Sequence, residues 1–349
     1  MPAAESQSLV ATLPLGHPPV RFGRVGVLLV NLGSPAGTDT RSVRRYLKEF
    51  LSDRRVIEVP RPVWWLILNG FVLTTRPRKT GHAYGLVWNR ERNEAPLVTI
   101  TRRQAEKLGA ALAGDRIVVD WAMRYGAPSV GERLEALKEE GCERILIAPL
   151  YPQYAAATTA TANDAAFAAL GRMRWQPAIR TLPAYFEAPE YIEALSDSIA
   201  EGVAALPFKP DVVLTSYHGM PIEYLLKGDM YHCECLKTTR LVRERLGWSK
   251  DFLKVTFQSR FGPDEWLKPY TDKTLEELGA AKKKVAVLAP AFSADCIETL
   301  EEIAITGHEQ FIEAGGGHDD YAYIPCLNDS PGGMKMLEAV VRRELGGWI

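Results

Sequence analysis

Residues 25–35 read VGVLLVNLGSP, an apolar and β-branched run that ends in glycine, serine and proline. A short apolar run followed by turn residues is typical of a strand buried on both faces. Similar runs lie at 117–122, 145–148, 212–216, 255–257 and 285–289. Helical patterns separate them, at 97–112, 129–140, 191–205, 235–246 and 274–279. This alternation predicts an α/β fold with parallel sheets flanked by helices.

The segments that follow these strands occur twice along the chain. LGSP at 32–35 is similar to HGMP at 218–221, RYG at 124–126 to RFG at 260–262, and APLY at 148–151 to APAF at 289–292. Glycine and proline follow strands in many α/β proteins, so a single match carries little weight. Three matches in the same order favour two lobes of like topology. We expect a first lobe at 21–185 and a second at 186–349, after a flexible leader at 1–20.

The composition is that of an ordinary globular protein. Lys and Arg number 42 against 43 Asp and Glu, the net charge is −1 and 46% of residues are hydrophobic. This balance argues against intrinsic disorder and against a polybasic nucleic-acid binder, so no nucleic acid is expected as a partner. The longest apolar runs are too short for a transmembrane helix. The leader has no basic region followed by an apolar region, so we do not interpret it as a secretory signal.

The sequence contains five cysteines, which are Cys142, Cys233, Cys235, Cys296 and Cys326. An odd count in a large chain fits a reducing compartment better than a disulfide framework. A cytoplasmic location is therefore expected. The sequence has no coiled-coil heptads, so it predicts no particular oligomeric state.

In open α/β sheets ligands bind beyond the carboxyl ends of the strands, and His218 lies at such an end. A histidine at the end of a strand suits a metal ligand or a general base, because its neutral form is available near pH 7. The alternative is a histidine held by a hydrogen bond within the turn. Position alone does not decide between these readings.

A second candidate follows the strand at 285–289. Glu298 and Glu302 are four residues apart on a predicted helix and share one face, with Asp295 just before them. Such carboxylates can bind a cation or pass protons along. The alternative is that acidic residues simply favour a helix N-terminus.

Aromatic and basic residues also cluster at the predicted strand ends. Flat aromatic walls suit a flat conjugated ligand and arginines suit carboxylates, whereas ordinary core packing is the alternative. The residues are Arg124, Tyr125, Tyr151, Tyr154, Trp266 and Phe292.

Residues 63–73, VWWLILNGFVL, contain Trp64 and Trp65 and precede Arg76. They fit an interfacial segment, the lip of an apolar pocket or a buried helix.

Taken together, these segments resemble the ferrochelatase family over residues 25–345. The segments that carry the resemblance are VNLGSP at 30–35, LYPQY at 150–154, SYHGMP at 216–221, FQSRFGPDEWL at 257–267 and IETLEEI at 297–303. The resemblance implies two Rossmann-like lobes with parallel four-stranded sheets flanked by helices. It also implies insertion of Fe²⁺ into protoporphyrin IX, the last step of haem synthesis, by a lyase that requires no cofactor because iron is a substrate.

Site residues carry over by position. His218 matches the family's active-site histidine and Glu298 the glutamate that faces it, both read as catalytic residues and as ligands of the iron. Glu302 matches the next acid of a proton relay, although Ala304 and Thr306 stand where further acids are common. The resemblance places Leu32, Arg124, Tyr125, Tyr151 and Trp266 on the wall of the macrocycle pocket and Arg76 near the propionates.

The resemblance also bears on cofactors and location. Animal members hold a [2Fe–2S] cluster with a cysteine where this chain has Ala156, so that arrangement is not implied. A cluster on Cys233 and Cys235 together with Cys296 or Cys326 is an alternative, although free thiols are favoured. Residues 61–79 match the hydrophobic lip, which predicts peripheral contact with the inner face of the membrane through Trp64, Trp65 and their neighbours.

Two alternative functions remain open at this point. One is a related chelatase that acts on coproporphyrin or inserts Co²⁺, and the other is a two-lobed protein that binds a porphyrin or a metal without chemistry. In the preferred reading, an imidazole from one half and an acid from the other meet across a gap wide enough for a tetrapyrrole.

Overall fold

The computed structural model describes residues 14–17, 21–114, 116–262 and 264–349. The predicted leader at 1–20 therefore lies outside the described residues, apart from 14–17. Within the described ranges the predicted α/β fold is confirmed, with eight strands in two sheets.

The first half of the chain forms one sheet and its covering helices. In order, the elements are β1 (Arg24–Gly33), α1 (Thr40–Leu51), α2 (Arg61–Ile67), a π-helical turn (Leu68–Val72), α3 (Leu73–Val87), α4 (Pro96–Ala111), β2 (Ile117–Tyr125), α5 (Val130–Glu139), β3 (Cys142–Pro149), a π-helical turn (Ala156–Ala160), α6 (Thr161–Leu170) and β4 (Ala178–Thr181). The strands at 25–31, 117–122 and 145–148 were all predicted from their apolar runs, whereas β4 was not.

The second half repeats this plan. Its elements are α7 (Pro189–Ala204), β5 (Val212–His218), α8 (Ile222–Leu226), α9 (Tyr231–Leu246), β6 (Leu253–Gln258), α10 (Thr271–Ala280), β7 (Val285–Leu288), α11 (Ile297–Leu300), a π-helical turn (Glu302–Gly307), α12 (His308–Glu313), a 3₁₀ turn (His318–Asp320), β8 (Tyr321–Tyr323) and α13 (Pro331–Glu344). The predicted boundary between 185 and 186 falls in the segment between β4 and α7.

Both sheets have four parallel strands in the same order. The first runs β2-β1-β3-β4 and the second β6-β5-β7-β8. The three repeated motifs follow equivalent strands, which are β1 and β5, β2 and β6, and β3 and β7. The internal repeat in the sequence therefore corresponds to two lobes of like topology.

The repeated glycine has the same physical cause in both lobes. Gly33 ends β1 with a φ of 110°, and a Cβ there would overlap the carbonyl oxygen of Tyr125 at the end of β2. In the second lobe, a Cβ on Gly219 would lie 2.5 Å from the carbonyl oxygen of Gln258 at the end of β6. At both sites the neighbouring strand approaches so closely that only glycine fits.

We expect Gly33→Ala to destabilise the protein by about 2–4 kcal/mol, because it combines a left-handed backbone with a backbone clash. Thermal unfolding measures the change. Gly114→Ala is the control, because it has a similar φ of 103° but open space around the Cβ. Equal shifts in the two variants would contradict the close-approach argument.

One buried hydrophobic cluster spans the two lobes. A single buried cluster includes Val27 and Leu29 of β1, Val213 of β5 and Val341 of α13. At its edge, the side-chain amide of Gln104 in α4 donates to the carbonyl oxygen of Asn328 at 2.9 Å. The end of the chain therefore packs against the first lobe, which fixes one lobe relative to the other.

A helix can cross a membrane only if it is both long and apolar. Among the residues that the structure describes, no helix is both long enough and apolar enough to cross a bilayer.

Candidate active site

His218 is the last residue of β5 and is half-buried. Its Nδ1 lies 2.7 Å from the carbonyl oxygen of Gly219. A carbonyl can only accept a hydrogen bond, so Nδ1 carries the proton and the lone pair is on Nε2. The turn hydrogen bond therefore does not compete with function, because it sets the tautomer that a base or a metal ligand requires.

Glu298 lies in α11, in the segment that follows β7. Its backbone carbonyl accepts a hydrogen bond of 2.8 Å from the side-chain amide of Gln258, at the end of β6. The side-chain oxygen of Gln258 accepts one of 2.7 Å from the hydroxyl of Ser216, two residues before His218. This buried chain of hydrogen bonds connects the strand that carries His218 to the backbone of Glu298.

Glu302 begins the π-helical turn beyond α11 and accepts a hydrogen bond of 2.6 Å from Ser259. Burial raises the pKa of its carboxyl, and the charge of Glu298 acts in the same direction. The Ser259 hydroxyl and the nearby His218 lower that pKa and so partly oppose the effect of burial. A carboxyl with a raised pKa can take up a proton closer to neutral pH, as a proton relay requires.

Two cavities meet at His218 and Glu298. The inner cavity holds about 800 Å³ of space, part of it open to solvent. It is lined by Asn31, Leu32, Leu97, Leu150, Tyr151, Gln153, Ala155, Ala157, Thr158, His218, Met220, Tyr231, Ala291, Phe292, Ser293, Ala294, Cys296 and Glu298. These residues come from both lobes, and none of them is Lys or Arg.

The outer cavity is larger and more polar. It holds about 1170 Å³, again counting space open to solvent. Its lining includes Arg76 and Lys79 of α3 as well as Glu298, Glu301 and Glu302. The positive charges of the two cavities are thus found only in the outer one.

Three of the predicted pocket residues line these cavities. Leu32, at the end of β1, and Tyr151, after β3, line the inner cavity, and the Tyr151 hydroxyl is buried with no hydrogen-bond partner in the described part of the chain. Arg76 lines the outer cavity, and its guanidinium lies 5.6 Å from the centre of the Phe261 ring.

The other three predicted pocket residues lie behind the cavity walls. Arg124 forms an ion pair with Asp53, and the Tyr125 hydroxyl donates to the same carboxylate at 2.9 Å. Tyr125 is fully buried, and Trp266 is 5% exposed and packs against Phe261 at 4.8 Å between ring centroids. None of the three lines either cavity, because the acid and the aromatic neighbours hold them inside.

The expectation that the imidazole and the acid come from different halves is wrong. His218 follows β5 and Glu298 follows β7, and both strands belong to the second sheet. Because β5 and β7 are hydrogen-bonded neighbours, their carboxyl ends lie side by side. The first lobe instead supplies the facing wall, through Leu32 and the segment 150–158.

The second lobe fixes this facing wall through two acidic residues that sequence reasoning did not single out. Glu234 accepts a hydrogen bond of 2.6 Å from the backbone N–H of Tyr154, and Asp229 accepts one of 2.8 Å from the N–H of Ala156. Burial raises the pKa of Glu234 above its usual range. Glu234 lies within the YHCEC sequence at 231–235, which had suggested only cysteine chemistry, and Asp229 lies two residues before it.

The cysteines lie in different environments. Cys233 is exposed on α9 whereas Cys235 is fully buried, since residues two apart on a helix point in different directions. Cys296 lines the inner cavity, and burial raises the pKa of its thiol. Within the described ranges, no three His, Cys, Asp or Glu side chains are grouped to hold a metal ion. The [2Fe–2S] cluster on Cys233 and Cys235 stays a prediction.

The predicted lip has an exposed apolar face and a face that packs inward. Val63, Trp65, Leu66 and Phe71 are 51%, 63%, 64% and 67% exposed. Trp64 instead turns inward, and its indole N–H donates to the carbonyl oxygen of Leu51 at 2.6 Å. The buried-helix alternative holds for Leu68, Val72 and Leu73, which are 3%, 9% and 5% exposed and pack in the core of the first lobe.

The arrangement combines a base, a carboxylate and a mostly apolar cavity. A neutral imidazole and a carboxylate can accept protons and can bind a borderline cation such as Fe²⁺. The walls of the inner cavity suit a large flat apolar ligand whose charged groups extend towards Arg76 and Lys79.

Comparison with known proteins gives one consistent family. The profile of the ferrochelatase family matches residues 24–345. A ferrochelatase of Allorhizobium ampelinum is 60% identical over 344 residues, which cover 98% of this chain and 99% of the relative. A ferrochelatase of Rhizobium meliloti is 60% identical over 335 residues, 95% of this chain and 98% of that one.

Solved structures show the same fold. SirB from Bacillus subtilis, solved with Fe³⁺, aligns with a TM-score of 0.55 at 12% identity, over 93% of this chain and 97% of SirB. DR2241 from Deinococcus radiodurans, described as similar to chelatases, aligns with a TM-score of 0.51 at 12% identity. The alignment covers 91% of this chain and 55% of the DR2241 chain.

Proposed function

The chain belongs to the ferrochelatase family, and from that membership we propose that its substrates are ferrous iron and protoporphyrin IX. The reaction is the insertion of iron into a porphyrin in haem synthesis, by a lyase that needs no cofactor because iron is the substrate. The observation that supports the proposal best is the meeting of the inner and outer cavities at His218 and Glu298.

The distribution of charge supports protoporphyrin over coproporphyrin. Protoporphyrin carries its two propionates on one edge, and Arg76 and Lys79 lie together in the outer cavity to receive them. Coproporphyrin carries propionates on both edges, so one edge would enter the inner cavity, which lacks Lys and Arg. An unpaired buried carboxylate costs several kcal/mol.

We expect the enzyme to prefer protoporphyrin by at least tenfold in kcat/KM under anaerobic conditions with Fe²⁺. Arg76→Ala with Lys79→Ala raises the KM for protoporphyrin about five- to tenfold and leaves kcat nearly unchanged, because these side chains contact the substrate far from the reacting nitrogens. Arg78→Ala is the matched control, since Arg78 is exposed on the same helix but does not line the cavity. Equal rates with coproporphyrin would overturn the protoporphyrin assignment.

Two protons leave the pyrrole nitrogens as Fe²⁺ binds them. His218 Nε2 accepts them one after the other, because Nδ1 is occupied by the Gly219 carbonyl. Glu298 is the carboxylate that binds the incoming iron, and Glu302, with its raised pKa, passes each proton from His218 towards solvent. The walls around Leu32 and Tyr151 hold the ring in place over these groups.

The lip supports a proposal about location. The exposed side chains at 63–71 form an apolar surface next to the cationic residues of α3, as is typical of segments that bind the membrane interface. Protoporphyrin is itself apolar apart from its propionates. We therefore assign the lip to peripheral contact with the inner face of the membrane, by a cytoplasmic enzyme that takes up its substrate from the bilayer.

Trp65→Ser with Leu66→Ser is expected to weaken binding to anionic vesicles at least tenfold, because two large exposed side chains lose their apolar contact area. Co-sedimentation with vesicles measures the change. Phe167→Ser is the control, since Phe167 is 51% exposed outside the lip. Unchanged binding by the double variant would remove the lip from any role at the membrane.

A further inference from the structure

One wall of the inner cavity belongs to the first lobe by sequence but is held in place by the second. Residues 150–158, here called the wall segment, follow β3, and most of them line the inner cavity. Every odd-numbered residue from 151 to 157 lines the cavity, whereas residues 152, 154 and 156 do not. At Ala155 the backbone is extended, with φ −143° and ψ 147°, and an extended chain presents alternate residues to opposite sides. The wall segment therefore presents one side to the ligand and keeps another for the second lobe.

Two acids of the second lobe bind the backbone of the wall segment. The Tyr154 N–H donates to Oε2 of Glu234, on α9, at 2.6 Å. The Ala156 N–H donates to Oδ2 of Asp229 at 2.8 Å. The other oxygen of Asp229, Oδ1, accepts the N–H of Tyr231 at 3.0 Å, so Asp229 joins the wall segment to the first residue of α9. Carboxylate oxygens form stronger hydrogen bonds with N–H groups than neutral acceptors do.

Apolar packing fixes the same segment next to the strand that carries His218. Ala155 is 2% exposed and packs in a buried cluster with Tyr217, Met220 and Tyr231, which all belong to the second lobe. Tyr217 precedes His218 on β5, and Met220 and Tyr231 line the inner cavity beside Ala155. The position of the wall segment relative to His218 therefore depends on its contacts with the second lobe.

We propose that Asp229 and Glu234 are positioning residues for the macrocycle, because they hold the wall segment against the edge of the ring that enters the inner cavity. This inference rests on the proposed function. With the propionates in the outer cavity, the edge that enters the inner cavity carries the two vinyl groups of protoporphyrin. Neither acid lines the cavity, so each acts through the backbone of the wall segment. A displaced wall loses contact with the vinyl groups and so weakens binding of the ring.

The first test removes one acid at a time in the full-length enzyme. Glu234→Ala is expected to raise the KM for protoporphyrin about five- to tenfold and to leave the KM for Fe²⁺ within about twofold of wild type. Glu187→Ala is the control and keeps both constants, because it removes an acid that forms an exposed ion pair with Lys237. An unchanged KM for protoporphyrin in both Glu234→Ala and Asp229→Ala overturns the proposal.

Conservative variants separate the hydrogen bonds from general stability. Glu234 accepts the Tyr154 N–H with one oxygen, so Glu234→Gln keeps an acceptor and recovers most of the loss seen in Glu234→Ala. Asp229 uses both oxygens, so Asp229→Asn keeps most of the defect of Asp229→Ala. These two variants preserve side-chain size, which keeps the proposal testable where an alanine variant does not fold. A loss in Glu234→Gln equal to that in Glu234→Ala contradicts the proposal.

The second test compares two porphyrins. Deuteroporphyrin IX keeps the two propionates but has hydrogen in place of both vinyl groups, so its KM is expected to rise less than twofold in Glu234→Ala. A purely structural role would reduce the amount of active enzyme and so lower the rate with both porphyrins, with each KM unchanged. Quenching of porphyrin fluorescence gives the two dissociation constants directly. An equal rise in KM for both porphyrins, or a lower rate with both KM values unchanged, overturns the positioning role, whereas failure of the wild-type enzyme to insert iron contradicts the proposed function instead.

Discussion

His218→Ala is expected to lower the rate of iron insertion about 10²–10⁴-fold at saturating protoporphyrin and Fe²⁺, the range typical of a removed general base. The reason is geometric. The Gly219 carbonyl holds the proton on Nδ1, so Nε2 is the basic nitrogen at the junction of the two cavities. Because the imidazole occupies little of the apolar wall, the dissociation constant for protoporphyrin should change less than threefold. Anaerobic assays that follow the Soret band measure both quantities.

A matched histidine separates this loss from general damage. His232 packs on the ring of Phe257 at 5.7 Å and lines neither cavity, so His232→Ala should keep iron insertion near the wild-type rate. Added imidazole is expected to restore part of the rate in His218→Ala only. A wild-type rate in His218→Ala would remove this residue from the mechanism.

Glu298→Gln is expected to lower kcat at least 10²-fold, because the amide can neither bind iron as a carboxylate does nor accept a proton. The variant keeps the size of the side chain, and the bond from Gln258 goes to the backbone carbonyl, so the position of α11 should not change. The KM for protoporphyrin is therefore expected to stay within threefold of wild type. Steady-state kinetics with each substrate varied in turn give the two constants.

The neighbouring acids provide the comparison for Glu298. Glu302→Gln is expected to have a smaller effect, about tenfold, because Glu302 relays a proton and does not meet the ring. Glu309 lies on the exposed side of α12, so Glu309→Gln should behave as wild type. If Glu302→Gln were the most impaired of the three, the roles of Glu298 and Glu302 would have to be exchanged.

Most of the fold could be predicted because buried parallel strands are continuous apolar runs, as at 25–31 and 285–289. The two missed strands, β4 and β8, each lie at one edge of a sheet and have only four and three residues. Strands so short and half-exposed carry no apolar run that distinguishes them from loops. The repeat of LGSP as HGMP could be recognised because the same close approach of two strands demands glycine at Gly33 and Gly219.

The placement of a candidate site residue at a cavity was predictable where it depends on position at the end of a strand or after one, as for His218, Glu298 and Leu32. It was less predictable where long-range partners decide the orientation. Arg124 turns to Asp53, which is distant in sequence, and nothing in the local pattern indicates this ion pair. His218 and Glu298 both fall in the predicted second lobe at 186–349, but their position side by side follows from the pairing of β5 with β7, which depends on sheet order.

The central claim is that His218 and Glu298 act together on one porphyrin bound at the junction of the two cavities. The most direct test is a double-mutant cycle in which the wild type, His218→Ala, Glu298→Gln and the double variant are preloaded with protoporphyrin and mixed with Fe²⁺ in an anaerobic stopped-flow instrument. We predict that the double variant is no slower than the slower single variant, because the two groups serve the same step. Multiplication of the two single losses, or insertion at the wild-type rate by the double variant, would contradict the account.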